Sequence, residues 1–402
     1  MTVQNRRNFI RHSSAVLAGS LFLPLINQAQ RYKGDLIRVG IIGAGSRGTG
    51  MAALMNKIQG FQMVACCDVL PQNLENCIKT AAPSAKGFSD YRKILEDKSI
   101  DAVLIATPLF LHAPMAGDAL KAGKHVYLEK AMAFNVNEVL QLTRIIRDNP
   151  SLVFQLGYQY RYFGLYKKIK EIIQKNWLGK ITHIESQYNR NSDWRNPVKD
   201  PKQERIINWR MYKEYCGGPL SELCSHQIDM INYLLDGHPL SAVGMGGINY
   251  WKDGRTTFDH IRAIYDYTGG IKSSVHSTLS NAYNGYNIKI YGDRATVEIQ
   301  REEAFIYAES TNNERGMVDG VSGATLNATT QGQAQKINFL QPGEKLQEPT
   351  AYALTDFRDC ILQNRKPVSG VDNGITSAIA IIMGNQAAET GDKQLWLNKY
   401  SI

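Results

Sequence analysis

The chain of 402 residues lacks the features that would set it apart from ordinary globular proteins. It has six cysteines (Cys66, Cys67, Cys77, Cys216, Cys224 and Cys360), and their spacing matches neither a zinc nor a redox motif. Cys66 and Cys67 lie in an apolar run and read as small core residues. No stretch is a comfortable membrane span: the nearest, residues 13–26, is too short and contains Ser and Gly. No basic stripe is present either. Of the formal charge of +9, Arg6, Arg7 and Arg11 supply three with no acid in the first thirty residues, and the remainder is scattered, so nucleic acid is not an expected partner. At 43% hydrophobic and 21% charged residues, the composition is that of a soluble globular chain long enough for two domains.

What is present is organised around residues 36–68. An apolar run leads into Gly43-Ala44-Gly45-Ser46-Arg47-Gly48, a helical stretch follows, and a second apolar run ends in Asp68. Strand, glycine turn, helix, strand and acid in this order form the dinucleotide-binding fingerprint. Gly43 permits the turn off the strand, Gly45 lets a pyrophosphate approach the backbone, and Gly48 lets the helix pack on the sheet. The helix start at Ser46 offers free N–H groups and a positive dipole end to phosphates. Asp68 is placed to bond an adenosine ribose and favours NAD, because its charge repels a 2′-phosphate. Arg47 suits a pyrophosphate, a 2′-phosphate or mere cover of the turn, which keeps NADP open.

The βαβ alternation continues. Residues 101–107, 124–130 and 151–157 read as buried strands, and about 111–122 and 135–147 as helices. Ligands bind at the carboxyl ends of such strands. The polar residues expected there are Thr107 and Pro108 with His112 beyond, Glu129 and Lys130, and Tyr158 and Gln159 with Arg161. Lys130 ends a buried strand and is suited to bond a substrate hydroxyl and favour the alkoxide as hydride leaves. His112 serves equally well as a helix-start histidine that caps or stacks.

From residue 181 the texture changes. Residues 181–188, 241–250, 261–267, 271–279, 286–291 and 295–299 read as strands, several joined as hairpins, which predicts a mainly antiparallel sheet. One face of such a sheet needs cover, so a homodimer or homotetramer is expected. The fold class is thus a doubly wound parallel sheet over 34–158 followed by an α+β domain over 159–402, for substrate binding and oligomerisation. Between the first two strands, residues 189–215 hold Asn191, Asp193, Trp194, Arg195, Trp209, Arg210 and Tyr212, suited to sugars because indole faces stack on pyranose C–H surfaces and polar groups read hydroxyls; the same residues also suit a plain loop. Residues 217–230 read as a glycine turn and one helix, on which Glu222 and His226, four apart, share a face. A carboxylate beside an imidazole suits a general base. With no second histidine nearby, no metal site is expected. Residues 312–335 read as a loop or flap, and 352–364 and 373–390 as C-terminal helices.

Residues 1–30 read as a targeting segment. Arg6-Arg7 followed by an apolar pair, then the apolar region 13–26, resembles a twin-arginine signal. That predicts export to the periplasm by the twin-arginine machinery, which carries folded proteins. Outside the cytoplasm no large nicotinamide pool exists, so the cofactor is expected to be tightly bound.

Together these motifs resemble the Gfo/Idh/MocA oxidoreductases, the relatives of glucose–fructose oxidoreductase and inositol dehydrogenase. The matching stretches are GIIGAGSRG at 40–48, ATPLFLH at 106–112, AGKHVYLEK at 122–130 and GGPLSELCSHQID at 217–229. Ala131 stands where the family has proline, and Glu222 where it has aspartate. The resemblance implies hydride transfer between a nicotinamide and a sugar, glycoside or cyclitol hydroxyl. Lys130 would touch the hydroxyl and the nicotinamide ribose, His226 would be the acid/base with Glu222 beside it, and Gln159, Arg161 and Arg195 would be sugar contacts. A second implied activity is NAD-dependent glycoside cleavage, in which transient oxidation at C3 acidifies the neighbouring C–H and elimination follows. A sugar sensor that keeps the fold is the third reading, against which Lys130 and His226 stand intact.

Overall fold

The computed structural model describes residues 36–80, 85–309, 315–318, 321–325 and 333–400; the predicted export signal lies outside them. The first six strands are β1 (Ile37–Ile42), β2 (Phe61–Cys67), β3 (Lys86–Phe88), β4 (Ala102–Ile105), β5 (His125–Leu128) and β6 (Phe154–Leu156). Their order is β3-β2-β1-β4-β5-β6, all parallel. β1 sits in the middle, so the connections leave it in opposite directions and a crevice opens at its carboxyl end. Helices α1 (Ser46–Met55), α2 (Pro71–Thr80), α3 (Arg92–Glu96), α4 (His112–Lys121) and α5 (Val136–Asp148) follow strands in this half. β4 and β5 stop about two residues earlier than the sequence predicts. Thr107 and Lys130 therefore leave the ladder and turn toward the crevice.

The second half holds β7 (Ile181–Tyr188), β8 (Ser241–Gly247), β9 (His260–Asp266), β10 (Lys272–Thr278), β11 (Tyr286–Gly292), β12 (Ala295–Gln300) and β13 (Glu303–Ala308). Beyond them lie β14 (Arg315–Val318), β15 (Val321–Thr325), β16 (Gln335–Lys336) and β17 (Gln394–Leu395). The large sheet has nine strands in the order β16-β13-β12-β11-β7-β10-β9-β8-β17. Its pairs are antiparallel except that β7 runs parallel to β10, because the chain enters the sheet at its centre with β7 and returns beside it only much later. β14 and β15 pair as a separate hairpin inside the stretch read as a loop; the rest of that stretch, 312–314, 319–320 and 326–332, lies outside the described residues.

Six further α-helices follow among the described residues: α6 (Gly164–Gln174), α7 (Glu204–Ile207), α8 (Gly218–Glu222), α9 (Ser225–Leu235), α10 (Pro349–Gln363) and α11 (Val371–Thr390). α10 crosses back to the parallel sheet. Its Ala353, Leu354, Phe357 and Cys360 are buried with Ile37, Val39 and Ile41, and Gln155 donates to the Ala353 carbonyl at 2.7 Å. α11 packs on β8 and β9 and also on α5 and α9, so one apolar helix serves both halves. Among the described residues no helix is long and apolar enough to cross a membrane.

Candidate active site

The glycine turn is built on steric need. Gly43 has φ +90, and a Cβ there would lie 2.7 Å from the Ala106 backbone. A Cβ on Gly48 would lie 2.0 Å from the Gly43 carbonyl oxygen, so α1 packs on the turn only because Gly48 lacks a side chain. Above Gly45 the space is open: a Cβ there would meet nothing nearer than Asn73 Nδ2, at 4.0 Å. Gly45 caps α1 without any side-chain bond, leaving the first N–H groups, Ser46 included, toward that space. Asp68 lies against the turn, its carboxylate accepting from the Ala44 and Leu70 amides, both at 2.8 Å. This cradle fits a dinucleotide: open backbone donors for a pyrophosphate, and a half-buried carboxylate beside them.

Several buried polar atoms have no partner among the described residues: Thr107 Oγ1, the Tyr158 hydroxyl and Gln159 Oε1 beyond the strand ends, and His226 Nδ1 at the start of α9. Buried polar groups are normally bonded, so a cluster of orphans at one crevice marks where a polar ligand sits. Pro108 turns the chain after Thr107 into the short turn Leu109–Leu111.

Lys130 crosses the domain boundary. Its Nζ donates to the Glu222 carbonyl at 2.6 Å, with the Ser221 carbonyl at 3.5 Å. Burial pushes its ammonium below the ordinary lysine value, against the pull of the Glu222 and Glu129 carboxylates. His226 stands at the start of α9, edge-on to Tyr158 and Tyr160 with ring centroids at 6.2 and 5.3 Å. Burial pushes its imidazole well below the usual histidine value, and the charges of Lys130, Arg47 and Arg301 add to this. Lys130 and His226, one from each half, therefore face the same crevice.

Several expectations are corrected. Glu222 does not sit beside His226: residues 217–230 form two helices, α8 and α9, so the four-residue spacing no longer shares a face. Its carboxylate bonds Arg210 Nε at 3.0 Å instead. Arg161 is no sugar contact, since its guanidinium is buried in an ion pair with Asp229 at 2.9 Å. His112 is buried with Nδ1 2.7 Å from the Ala131 carbonyl and Nε2 2.9 Å from that of Thr107, so the ring ties two backbone segments together rather than presenting to a cofactor. Arg47 pairs with Glu129 at 2.8 Å and donates to Thr350 Oγ1 at 3.3 Å, so its guanidinium is engaged within the protein. Arg195 and Tyr212 share the Glu204 carboxylate, at 2.7 and 3.0 Å, and hold the insert together. Trp209 carries Arg210 over its ring at 4.1 Å, which leads through Glu222 to Lys130. Tyr158 and Arg210, both expected from the sequence, stand near Lys130 and His226. Tyr160 and Arg301 lie outside the expected residues: Tyr160 follows the β6 strand end, a signal the sequence holds, and Arg301 comes near only through the tertiary fold.

Among the described residues no three His, Cys, Asp or Glu side chains group as a metal site. Residues 37–158 match the family model "Oxidoreductase family, NAD-binding Rossmann fold" of Gfo/Idh/MocA, and residues 166–298 match the C-terminal domain model of the same family. The chain is 30% identical over 272 residues to glycosyl hydrolase family 109 protein 1 of Bacteroides fragilis, covering 64% of this chain and 55% of that one. It is 29% identical over 201 residues to glucose-6-phosphate 3-dehydrogenase of Bacillus subtilis, covering 50% and 54%. The match thus spans little more than half the length of these curated relatives. A levoglucosan dehydrogenase solved with NADH and levoglucosan superposes with a TM-score of 0.73 at 20% identity, over 89% of this chain and 99% of that one, and shares the fold. With both halves matched by models of one family, and the glycine cradle and the two-domain crevice in place, the chain belongs to the Gfo/Idh/MocA oxidoreductase family.

Proposed function

We propose that the protein is an NAD-dependent oxidoreductase acting on a CH–OH group of a carbohydrate or cyclitol. The observation that supports this reading is that Lys130, from the first half, reaches the Glu222 carbonyl of α8 and its charge acts on His226 at the start of α9. The open backbone at Gly45 and Ser46 would take the pyrophosphate and Asp68 the adenosine ribose; the Asp68 carboxylate disfavours a 2′-phosphate and hence NADP. NAD held there supplies the acceptor or donor of hydride at the sugar carbon.

The rest falls to side chains. Lys130 Nζ already donates to a carbonyl and has further protons to give. A hydroxyl oxygen placed against it is oriented, and the negative charge that grows on that oxygen is stabilised in a buried setting. His226 is held neutral by burial and by the neighbouring cations, so its imidazole is ready to accept the hydroxyl proton. Trp209 and Arg210, anchored to Glu222, offer a flat face and a cation to the remainder of the sugar.

The relatives named as glycosyl hydrolase family 109 proteins favour a second reading, redox-neutral glycoside cleavage on the same residues. It fits the twin-arginine pattern at Arg6-Arg7, which supports export by that machinery to the periplasm with a seated cofactor. Val243, Met245 and Ile264 stand exposed on the open sheet face, Met245 by 81%, which supports a homodimer or homotetramer through that sheet.

The test is to denature the purified protein and read released nicotinamide by absorbance, then to incubate the native protein with alkyl glycosides. A keto-glycoside supports the oxidoreductase and free sugar the glycosidase. Neither product, from protein that carries nicotinamide, overturns both.

A further inference from the structure

A cavity of about 610 Å³ opens where β7 ends and β11 begins, lined among others by Tyr188, Arg190, Asn191, Asn284, Tyr286 and Arg301. It is one aromatic ring away from His226. Tyr160 meets His226 edge-on at 5.3 Å and Tyr286 at 5.4 Å, and its hydroxyl accepts from Arg301 Nε at 3.3 Å. Tyr160 thus stands between His226 and the cavity wall at Tyr286.

The lining has one sign of charge. Arg190 donates to the Tyr188 hydroxyl at 2.9 Å and lies over that ring, and Arg301 donates to the Tyr160 hydroxyl. Among the described residues neither guanidinium is in an ion pair; Glu302, next in the chain, is felt by Arg301 at a distance without bonding it. Arg301 also occupies a two-residue turn between β12 and β13 at φ +60, where glycine or asparagine is sterically cheaper. Two guanidiniums with unused donors, rimmed by the amides of Asn191 and Asn284, match the forked acceptors of an oxyanion. A neutral hydroxyl accepts only an uncharged-acceptor bond from them, the weaker kind.

We propose that this cavity seats an anionic substituent of the substrate, a carboxylate, phosphate or sulfate, so that the substrate is an acidic sugar or acidic glycoside. The proposal rests on the reading of Lys130 and His226 as the reacting site.

The test is calorimetric titration of the full, NAD-loaded protein with methyl glucuronide, glucose 6-phosphate, glucose 6-sulfate and methyl glucoside, with turnover followed in parallel. At least one charged probe is expected to bind roughly tenfold or more tightly than the glucoside, the worth of one charge-assisted hydrogen bond. That ratio should shrink with added salt and approach one in the Arg190→Gln/Arg301→Gln double variant, whose changes lie on exposed side chains. The three charged probes separate the carboxylate, phosphate and sulfate sources. Equal binding of charged and neutral probes, no binding of any probe, or a preference that survives the double variant overturns the anion site. Turnover of neutral sugars without charge preference sinks this proposal alone; charge preference without turnover of any sugar sinks the oxidoreductase reading and leaves the anion site standing.

Discussion

Replacing Asp229 tests whether Arg161 is a structural clamp. Asp229 is fully buried on α9, three residues past His226, and its partner Arg161 is 9% exposed at the side chain. The carboxylate accepts twice from the guanidinium at 2.9 Å and also from Ser377 Oγ at 2.7 Å, so it joins the strand-end turn, α9 and α11. Asp229→Asn keeps the shape and removes the charge, stranding a buried guanidinium. Breaking such a pair costs about 3–5 kcal/mol. At about 2–4 °C per kcal/mol for a domain of this size, the melting temperature should fall by roughly 6–20 °C. The assay is thermal unfolding followed by circular dichroism, with Arg161→Met and the Arg161→Met/Asp229→Leu double variant alongside. Because an apolar pair of similar volume removes both buried charges, the double variant should be more stable than either single one. If Arg161→Met melts within about 2 °C of the parent yet raises the KM for sugar tenfold, the clamp is wrong and Arg161 touches substrate.

Other expectations follow from single contacts. Gly48→Ala places a methyl 2.0 Å from the Gly43 carbonyl oxygen and should abolish nicotinamide retention, read as absorbance released on denaturation; full retention contradicts the packing. Lys130→Met should lower kcat by about 10²- to 10⁴-fold, the range for a positioned proton-handling group, while nicotinamide stays bound; unchanged turnover removes the lysine from the chemistry. His112, His125, His226 and His276 are all held below the ordinary histidine value, chiefly by burial. Their unfolded forms take up protons first as pH falls through about 6.5. The folded state should be fully stable above that pH and lose stability below it. Urea midpoints measured at about pH 7.5 and about pH 5.5 check this, and an equal or higher midpoint at the lower value refutes it.

The sequence was most readable where geometry is local. The glycine turn with Asp68, and the apolar strands that carry Thr107 and Lys130, depend on backbone sterics and a run of neighbours. The strands β7 to β12 were readable as alternation, to within a residue or two at most ends. What the sequence hid depends on partners far along the chain. Glu222 and His226 read as one helical face, but the chain breaks at Leu223 and Cys224, and Arg210 takes the carboxylate. Arg161 reads as a free cation at a strand end until Asp229 arrives from 68 residues away. The parallel pairing of β7 with β10 leaves no local mark. β14 and β15 are hidden because Gly316 and Gly323 blur a short alternation.

The central claim is that an amine from the nucleotide-binding half and an imidazole from the other half meet on one substrate hydroxyl. A crystal structure of the protein with NAD and a sugar it turns over tests this most directly. The expected result is a single hydroxyl within hydrogen-bond distance of both Lys130 Nζ and the His226 ring, its carbon facing the nicotinamide. A sugar seated out of reach of either side chain contradicts it.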